Sequence, residues 1–336
     1  MKKKILVTGG LGYIGSHTIV ELINEGYHPI IVDNLSNSYI SVLDGIKKIV
    51  NNDIDFHELD VKNSSALDSI FSNNKIDAVI HFAAYKAVGE SVKEPLKYYD
   101  NNIGGLITLL QVMQKHQCNQ IVFSSSCTVY GQPDKLPVTE NESIKKANSP
   151  YGNTKQIGEE ILEENIWLKT ISLRYFNPIG AHQSALIGEL PIGIPNNLVP
   201  YITQTAAGIR EALTIFGNTY NTPDGTCIRD YIHVVDLAKA HVKAINFFNQ
   251  TFQFETFNIG TGNGYSVKEI VDSFEKVNNI KLNIIWGDKR EGDVEQVWAD
   301  ARKSNDILGW KAELNLDDML SSSWQWQKKL SESNSQ

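Results

Sequence analysis

The chain has 336 residues, of which 41% are hydrophobic and 21% charged, with a formal net charge of −8. That length buries a large core and suits one big α/β domain plus a smaller one, and the acidic balance argues against a nucleic-acid backbone as partner. Cys118, Cys127 and Cys227 have neither an even count nor a metal-like spacing, which fits reduced thiols in the cytoplasm.

Lys2-Lys3-Lys4 is followed by an apolar run too short for a signal-peptide core, and no stretch reaches the length of a membrane span. The run Ile5-Leu6-Val7 reads as a buried parallel strand. It leads into Gly9-x-x-Gly12-x-x-Gly15 and a helical pattern over 13–25, with Gly26 as its stop. In a dinucleotide seat, Gly9 permits the tight turn, Gly12 lets backbone N–H groups approach a pyrophosphate, and Gly15 lets helix and strand pack closely. An ordinary strand-helix turn is the plainer alternative. The second strand, 28–33, ends in Asp33, near the offset expected for an acid on the adenosine ribose. A carboxylate there repels a 2′-phosphate, and Asn34, Leu35, Ser36 and Asn37 include no arginine to bind one, so NAD is favoured over NADP.

Further strands are expected near 55–60, 77–82 and 119–125, with helices near 38–50, 64–73, 91–117 and 150–165. This alternation predicts a doubly wound parallel sheet, Rossmann-like, to which 169–174 adds a strand. Asp60 and Val61 end the third strand, where Asp60 either reaches the adenine or caps a helix. Phe82, Ala83 and Ala84 end the fourth, with small residues where a dinucleotide passes close. After Phe176 prolines break the rhythm. A helix near 234–249, strand near 256–259, helix near 266–278 and strand near 282–286 complete the expected elements. The domains expected are 1–176 for the dinucleotide, with segments near 230–260 returning to it, a mixed α/β substrate domain over 177–330, and a frayed tail at 331–336.

Tyr151 and Lys155, four apart after Ser149-Pro150, share one helical face. A lysine ammonium beside the phenol favours phenolate, as does the positive ring of an oxidised nicotinamide, and together they make the tyrosine a usable general base. The preceding strand ends in Ser124-Ser125-Ser126, where Ser126 can hydrogen-bond a substrate oxygen and the tyrosine. Alone, a Tyr-x-x-x-Lys pair is commonly surface helix. Combined with the glycine loop, Asp33 and the serines, it is specific.

These motifs, with Lys86 in Tyr85-Lys86-Ala87-Val88-Gly89, Asn101 in Tyr99-Asp100-Asn101-Asn102, Leu173-Arg174-Tyr175-Phe176-Asn177-Pro178, Arg229-Asp230-Tyr231-Ile232-His233 and Arg290-Glu291-Gly292-Asp293, resemble the extended short-chain dehydrogenase/reductase family, most closely its UDP-hexose 4-epimerases. The resemblance covers 4–326. It implies NAD as cofactor and Ser126, Tyr151 and Lys155 as the catalytic set. It implies a cofactor site of Gly9, Gly12, Tyr13, Ile14, Gly15, Asp33, Asn34, Asn37, Asp60, Val61, Phe82, Ala83, Ala84, Lys86, Asn101, Ser124, Tyr151, Lys155 and Phe176. It implies a UDP-sugar site of Lys86, Ser126, Tyr151, Asn177, Asn197, Leu198, Phe216, Arg229, Arg290, Asp293 and Val297. The activity implied is interconversion of UDP-glucose and UDP-galactose through a 4-keto sugar, in a homodimer joined by helices near 91–117 and 150–165.

The substrate residues also make chemical sense unaided. Arg229 and Arg290 can pair a diphosphate in forked geometry, Asp293 can accept ribose hydroxyls, Asn177 and Asn197 offer donors and acceptors, and Phe216 offers an apolar wall for uracil. For each arginine the plainer alternative is a surface salt bridge. His17, His81 and His233 lack metal-ligand spacing, so core or capping roles and no metal are expected. Related 4,6-dehydratases carry acids just after the serines, whereas this chain has Cys127-Thr128-Val129-Tyr130. A net-redox dehydrogenase and a non-catalytic NAD sensor are the remaining alternatives. Relatives limited to plain hexoses tend to carry Tyr where this chain has Val297, so room for a 2-acetamido group is expected.

Overall fold

In the computed structural model, which describes residues 2–290 and 293–333, short apolar runs alternate with helices from the first residues onward. The order is β1 (Lys4–Thr8), α1 (Tyr13–Asn24), β2 (His28–Asp33), α2 (Ser41–Val50), β3 (Asp55–Glu58), α3 (Ser64–Asn73) and β4 (Ala78–His81). Then come α4 (Val88–Lys93), α5 (Pro95–Tyr98), a π-helical turn over 99–104, α6 (Gly105–Lys115), β5 (Gln120–Ser126), a 3-10 turn over 127–130, α7 (Pro150–Glu164) and β6 (Lys169–Tyr175). The second half holds β7 (Asn177–Ile179), α8 (Leu198–Ala206), β8 (Leu213–Phe216), β9 (Ile228–His233), α9 (Val234–Phe247), β10 (Phe254–Ile259), β11 (Gly264–Ser266), α10 (Val267–Asn278), β12 (Ile284–Gly287), β13 (Gln296–Val297) and α11 (Leu316–Ser333).

Seven strands form a parallel sheet in the order β10-β6-β5-β4-β1-β2-β3. Both faces are covered, as a sheet of continuous apolar strands requires. Ile5, Val7 and Ile31 point to one face, packed by Ile19, Ile46, Leu237 and Ile245 of α1, α2 and α9. Leu6, Ile30 and Val79 point to the other, packed by Leu67, Leu109 and Leu162 of α3, α6 and α7. The chain leaves this sheet after β6. It builds a small sheet in which β9 pairs with β7, β11 and β13, and a two-stranded β8–β12 ribbon, over a separate core that includes Ile202, Ile215, Phe274 and Leu320.

Several elements differ from the sequence expectation. The single helix expected over 91–117 is broken: Pro95 ends α4 and starts α5, and the chain then loosens into the π turn before α6. The stretch read as a proline-punctuated loop contains α8, because Pro200 lies in its first turn, where a missing N–H is no loss. The strands β7, β8, β9, β11 and β13 and the helix α11 had no counterpart in the pattern; these strands are short or lack clean alternation. The helix α11 runs through Ser333, where a tail was expected; residues 334–336 lie outside the described residues. No helix among the described residues is long and apolar enough to cross a membrane.

Candidate active site

The ends of β1 and β4 lie side by side at the point where strand order reverses, the place where doubly wound sheets open a crevice. Gly9 adopts φ +68°, and a Cβ there would sit 2.8 Å from the Ala83 nitrogen. A Cβ on Gly15 would sit 2.4 Å from the Gly9 carbonyl. Helix α1 starts from Gly12 in extended conformation, with no side-chain cap and no acid in its first turn. The N–H groups of Tyr13, Ile14 and Gly15 and the positive helix end therefore suit an anion such as a diphosphate. The Tyr13 hydroxyl donates to the Gly180 carbonyl at 2.6 Å, tying this loop to the second half of the chain.

Asp33 is buried and braces the loop: it accepts from the Leu11 nitrogen at 3.0 Å, the Leu35 nitrogen at 3.0 Å and the Ser38 hydroxyl at 2.8 Å. Asn34 and Asn37 are exposed beside it, and Asn34 donates to Asp60 at 3.2 Å. The cap of α3 is Asn63, which accepts from the Ala66 nitrogen, so the capping alternative for Asp60 is removed. Val61 is buried against Gly105. The Phe82 nitrogen donates to the Thr8 carbonyl at 3.0 Å and the Ala83 nitrogen to the Thr8 hydroxyl at 3.4 Å, so Phe82, Ala83 and Ala84 run past the glycine loop. Lys86 pairs with Glu189 at 3.2 Å. Asn101, in the π turn, donates to Asn102, which in turn holds Tyr85 and Thr154 of α7.

Ser149 caps α7 by accepting from the Gly152 nitrogen at 3.1 Å, and Pro150 fills the first turn. Tyr151 and Lys155 then face the end of β5. The Lys155 ammonium donates to the Ser124 carbonyl at 2.6 Å and lies 5.9 Å from the Tyr151 ring centre. Ser126, whose hydroxyl oxygen accepts from the Thr128 nitrogen at 3.2 Å, acts in the direction that favours the Tyr151 phenolate. In the protein chain alone burial pushes Tyr151 up to about 12, and the same burial lowers Lys155 to about 8 despite Glu159 nearby; the expected phenolate draws on a positive nicotinamide ring as well as on Lys155. Phe176 is buried beside Val129, Tyr130 and Val297.

Three substrate-set residues meet on the small sheet: Asn177 of β7 lies opposite Tyr231 of β9, and Val297 of β13 opposite Arg229 of β9. Arg229 donates to its neighbour's carbonyl at Ile228 and makes no carboxylate pair within the described residues, so the salt-bridge alternative fails for it. Phe216 ends β8, and the Arg290 guanidinium stacks 3.9 Å from its ring centre. Asp293 is exposed near Arg290, while Glu291 and Gly292 of that motif lie outside the described residues. Asn197 and Leu198 start α8, and Asn197 donates to Glu189 at 2.6 Å. His233 caps α9, His81 bonds Thr8 and His17 bonds the Tyr13 carbonyl. Among the described residues no cluster of His, Cys, Asp or Glu could hold a metal ion.

Two groups beside the site escaped the sequence reading. Glu189 joins Lys86 to Asn197, with its backbone carbonyl held by the Trp326 indole N–H at 2.9 Å, and no local pattern marks it. Glu159, one helical turn beyond Lys155, takes Ser125 at 2.6 Å, Ser172 at 2.7 Å and Arg174. The i,i+4 spacing from Lys155 was its available signal.

Strand order, glycine loop and the Ser126–Tyr151–Lys155 group define an extended short-chain dehydrogenase/reductase. A family model described as GDP-mannose 4,6 dehydratase matches residues 6–323. A UDP-glucose 4-epimerase of Dictyostelium discoideum is 52% identical over 330 residues, 96% of this chain and 95% of that protein. The structure of a Stenotrophomonas maltophila UDP-glucose 4-epimerase with NAD and formylated UDP-arabinopyranose superposes with TM-score 0.96 at 45% identity, covering 98% and 99% of the two chains. A Bifidobacterium longum UDP-glucose 4-epimerase with NAD+ and UDP gives TM-score 0.93 at 45% identity, covering 97% and 98%. The chain belongs to the UDP-glucose 4-epimerase family.

Proposed function

We propose that this chain interconverts UDP-glucose and UDP-galactose, with NAD seated between β1 and β4 and the hexose C4 presented to Tyr151. The observation that carries the reading is the convergence of Tyr151, Ser126 and Lys155 at the end of β5, next to an uncapped helix N-terminus. Tyr151 takes the proton of the C4 hydroxyl and later returns it. Ser126 donates to the reacting oxygens and steadies them. Lys155, held by the Ser124 carbonyl, keeps a positive charge beneath the phenol. Bound NAD supplies the hydride acceptor and, when oxidised, a positive ring that adds to Lys155 in lowering the phenol from about 12.

Arg229 and Arg290 bind the diphosphate through charge-assisted hydrogen bonds, Phe216 backs the uracil, Asn177 and Asn197 address sugar and phosphate, and Asp293 accepts ribose hydroxyls. Firm holding of the nucleotide leaves the keto sugar free to turn and present its other face. A carboxylate at Asp33, with no cation beside it, supports NAD over NADP. Incubation with UDP-galactose and no added cofactor should form UDP-glucose without net NADH. Accumulating NADH would show a dehydrogenase instead, and no reaction would leave a sensor. Tyr151→Phe should remove most turnover while NAD stays bound; near-normal turnover would overturn the catalytic assignment.

A second substrate class is favoured by Val297, whose small side chain is buried beside Phe176 and opposite Arg229 in register. Conversion of UDP-N-acetylglucosamine is expected, and Val297→Tyr should reduce it selectively; no conversion by the natural protein refutes the pocket-size argument. A homodimer is supported by exposed Val88, Val92, Leu96 and Ile107 on α4 to α6, with Leu96 81% exposed. Light scattering should give twice the chain mass, and Leu96→Glu should lower it; a monomer refutes it. Three free cysteines support a cytoplasmic location.

A further inference from the structure

We propose that Glu189 is a positioning residue of the ligand site, which holds Lys86 of the cofactor half and Asn197 of the substrate half on one carboxylate oxygen. This rests on the reading of Lys86 and Asn197 as residues that touch the ligands. Glu189 Oε1 takes the Lys86 ammonium at 3.2 Å and the Asn197 side-chain nitrogen at 2.6 Å. These donors stand 103 and 8 residues from it in the chain, so one atom joins the stretch after β4 to the start of α8.

Glu189 is the anchored member of the three. Its carbonyl accepts from the Trp326 indole N–H of α11 at 2.9 Å, and a Cβ on Gly188 would sit 2.5 Å from that indole ring. The turn leading into it is closed by a bridge between Ala181 and Gly188. The far side of that turn is tied to α11 as well, where the Gly180 nitrogen donates to Ser323 at 3.1 Å and the Ala181 nitrogen to Ser322 at 3.2 Å. Lys86, by contrast, lies on irregular backbone between β4 and α4, and Asn197 ends an irregular run before α8. The Glu189 side chain is 12% exposed and that of Lys86 50%, so the acid stands behind the cation. An acid that merely withheld Lys86 from a diphosphate would stand on the solvent side of the ammonium and have no use for a neutral amide.

A lysine has a flexible four-carbon stem and loses much rotamer freedom when it is held. Glu189 imposes that order before a ligand arrives, which lowers the cost of binding. The ammonium keeps further N–H groups for a phosphate. Asn197 is ordered in direction. A carboxylate oxygen only accepts, so the amide nitrogen must face Glu189. The residue before α8 would ordinarily cap the helix with its side-chain oxygen, but Asn197 makes no such bond. Its Oδ1 receives no hydrogen bond among the described residues and stays available to accept a ligand hydroxyl.

The test uses the full-length protein with saturating NAD, as wild type, Glu189→Ala, Glu189→Gln, Lys86→Ala/Asn197→Ala and that double variant with Glu189→Ala added. UDP binding is measured by calorimetry alongside turnover of UDP-galactose. Glu189→Ala should weaken UDP about tenfold and raise KM to match, with kcat within about twofold. Glu189→Gln should weaken it only about threefold, because an amide oxygen accepts from both donors but lacks the charge that draws an ammonium. In the Lys86→Ala/Asn197→Ala background, Glu189→Ala should cost no further affinity, as a residue acting through those two requires. UDP bound by Glu189→Ala as tightly as by wild type would overturn the proposal. Tighter binding would overturn it too, since the acid would then compete with the diphosphate for Lys86. So would a further loss in the double-variant background, which would place Glu189 on the ligand itself. If Glu189→Ala does not fold, Glu189→Gln, which keeps the shape, decides the matter, and affinity equal to wild type refutes positioning. A wild type that binds UDP without turning over UDP-galactose refutes the functional reading and leaves the affinities to judge Glu189; one that binds no UDP overturns both.

Discussion

Arg174 grips Glu159 with two nitrogens, Nε on Oε1 at 3.0 Å and Nη2 on Oε2 at 2.7 Å, both side chains being 5% exposed. The pair joins β6 to α7 beneath Lys155, and the Ser125 and Ser172 hydroxyls also donate to Oε1. A buried ion pair satisfied in this way is costly to break from one side, because the surviving charge is left without a partner.

Glu159→Ala should therefore destabilise the fold by about 3–5 kcal/mol. Urea unfolding is the measurement, and a loss below about 1 kcal/mol, the range of exposed pairs, would show that the brace carries little.

Gly15→Ala places a methyl 2.4 Å from the Gly9 carbonyl and 2.8 Å from the Gly10 Cα, backbone that has no room to move. Helix α1 must back away from the loop, and the N–H groups at its start lose their aim. NAD affinity should fall at least tenfold, about 1.4 kcal/mol. Titration of cofactor-free protein with NAD measures it, and unaltered affinity would remove the glycine loop from the seat.

Lys155 is held near 8 by burial, below its ordinary 10.5. Below pH 8 it is charged in both folded and unfolded chains, and the folded state bears the full desolvation penalty. Between about 8 and 10.5 the unfolded chain binds more protons, so this group makes stability rise with pH in that window. Relative to Lys155→Met, the cofactor-free wild type should gain on the order of 3 kcal/mol between pH 7 and pH 10.5. A stability difference that stays flat across those unfolding curves contradicts the burial argument.

Phe216 supports the exposed Arg290 guanidinium at 3.9 Å. Phe216→Ala should raise the KM for UDP-galactose about two- to fivefold, the size of an exposed cation–π contact of roughly 0.5–1 kcal/mol, and leave kcat unchanged. A fall in kcat at constant KM would place Phe216 beside the reacting carbon instead.

The large sheet was legible because its strands are short apolar runs separated by helices of regular period, a signal carried within windows of a dozen residues. The second half was less so. Pro200 reads as loop punctuation until it is seen in the first turn of α8, and β13, two residues long, has no period of its own. The 91–117 helix shows the opposite error: apolar spacing continued across Pro95, but the backbone did not. The degree of burial was illegible for a related reason, since spacing places Lys155 near Tyr151 but says nothing of how far both are removed from water.

By itself the sequence determined what one turn of backbone can express. Ser149 and Pro150 start a helix, and a period of 3.6 residues puts Tyr151, Lys155 and Glu159 on one face of it; three glycines at three-residue spacing allow a close turn. Only the tertiary structure decided what those groups meet. Lys155 finds the Ser124 carbonyl across 31 residues and Tyr175 finds His241 across 66, because β5, β6 and α9 happen to be neighbours in the folded layers. Strand adjacency is a property of the whole packed sheet, and a partner chosen by adjacency leaves no trace in the residues around either member of the pair.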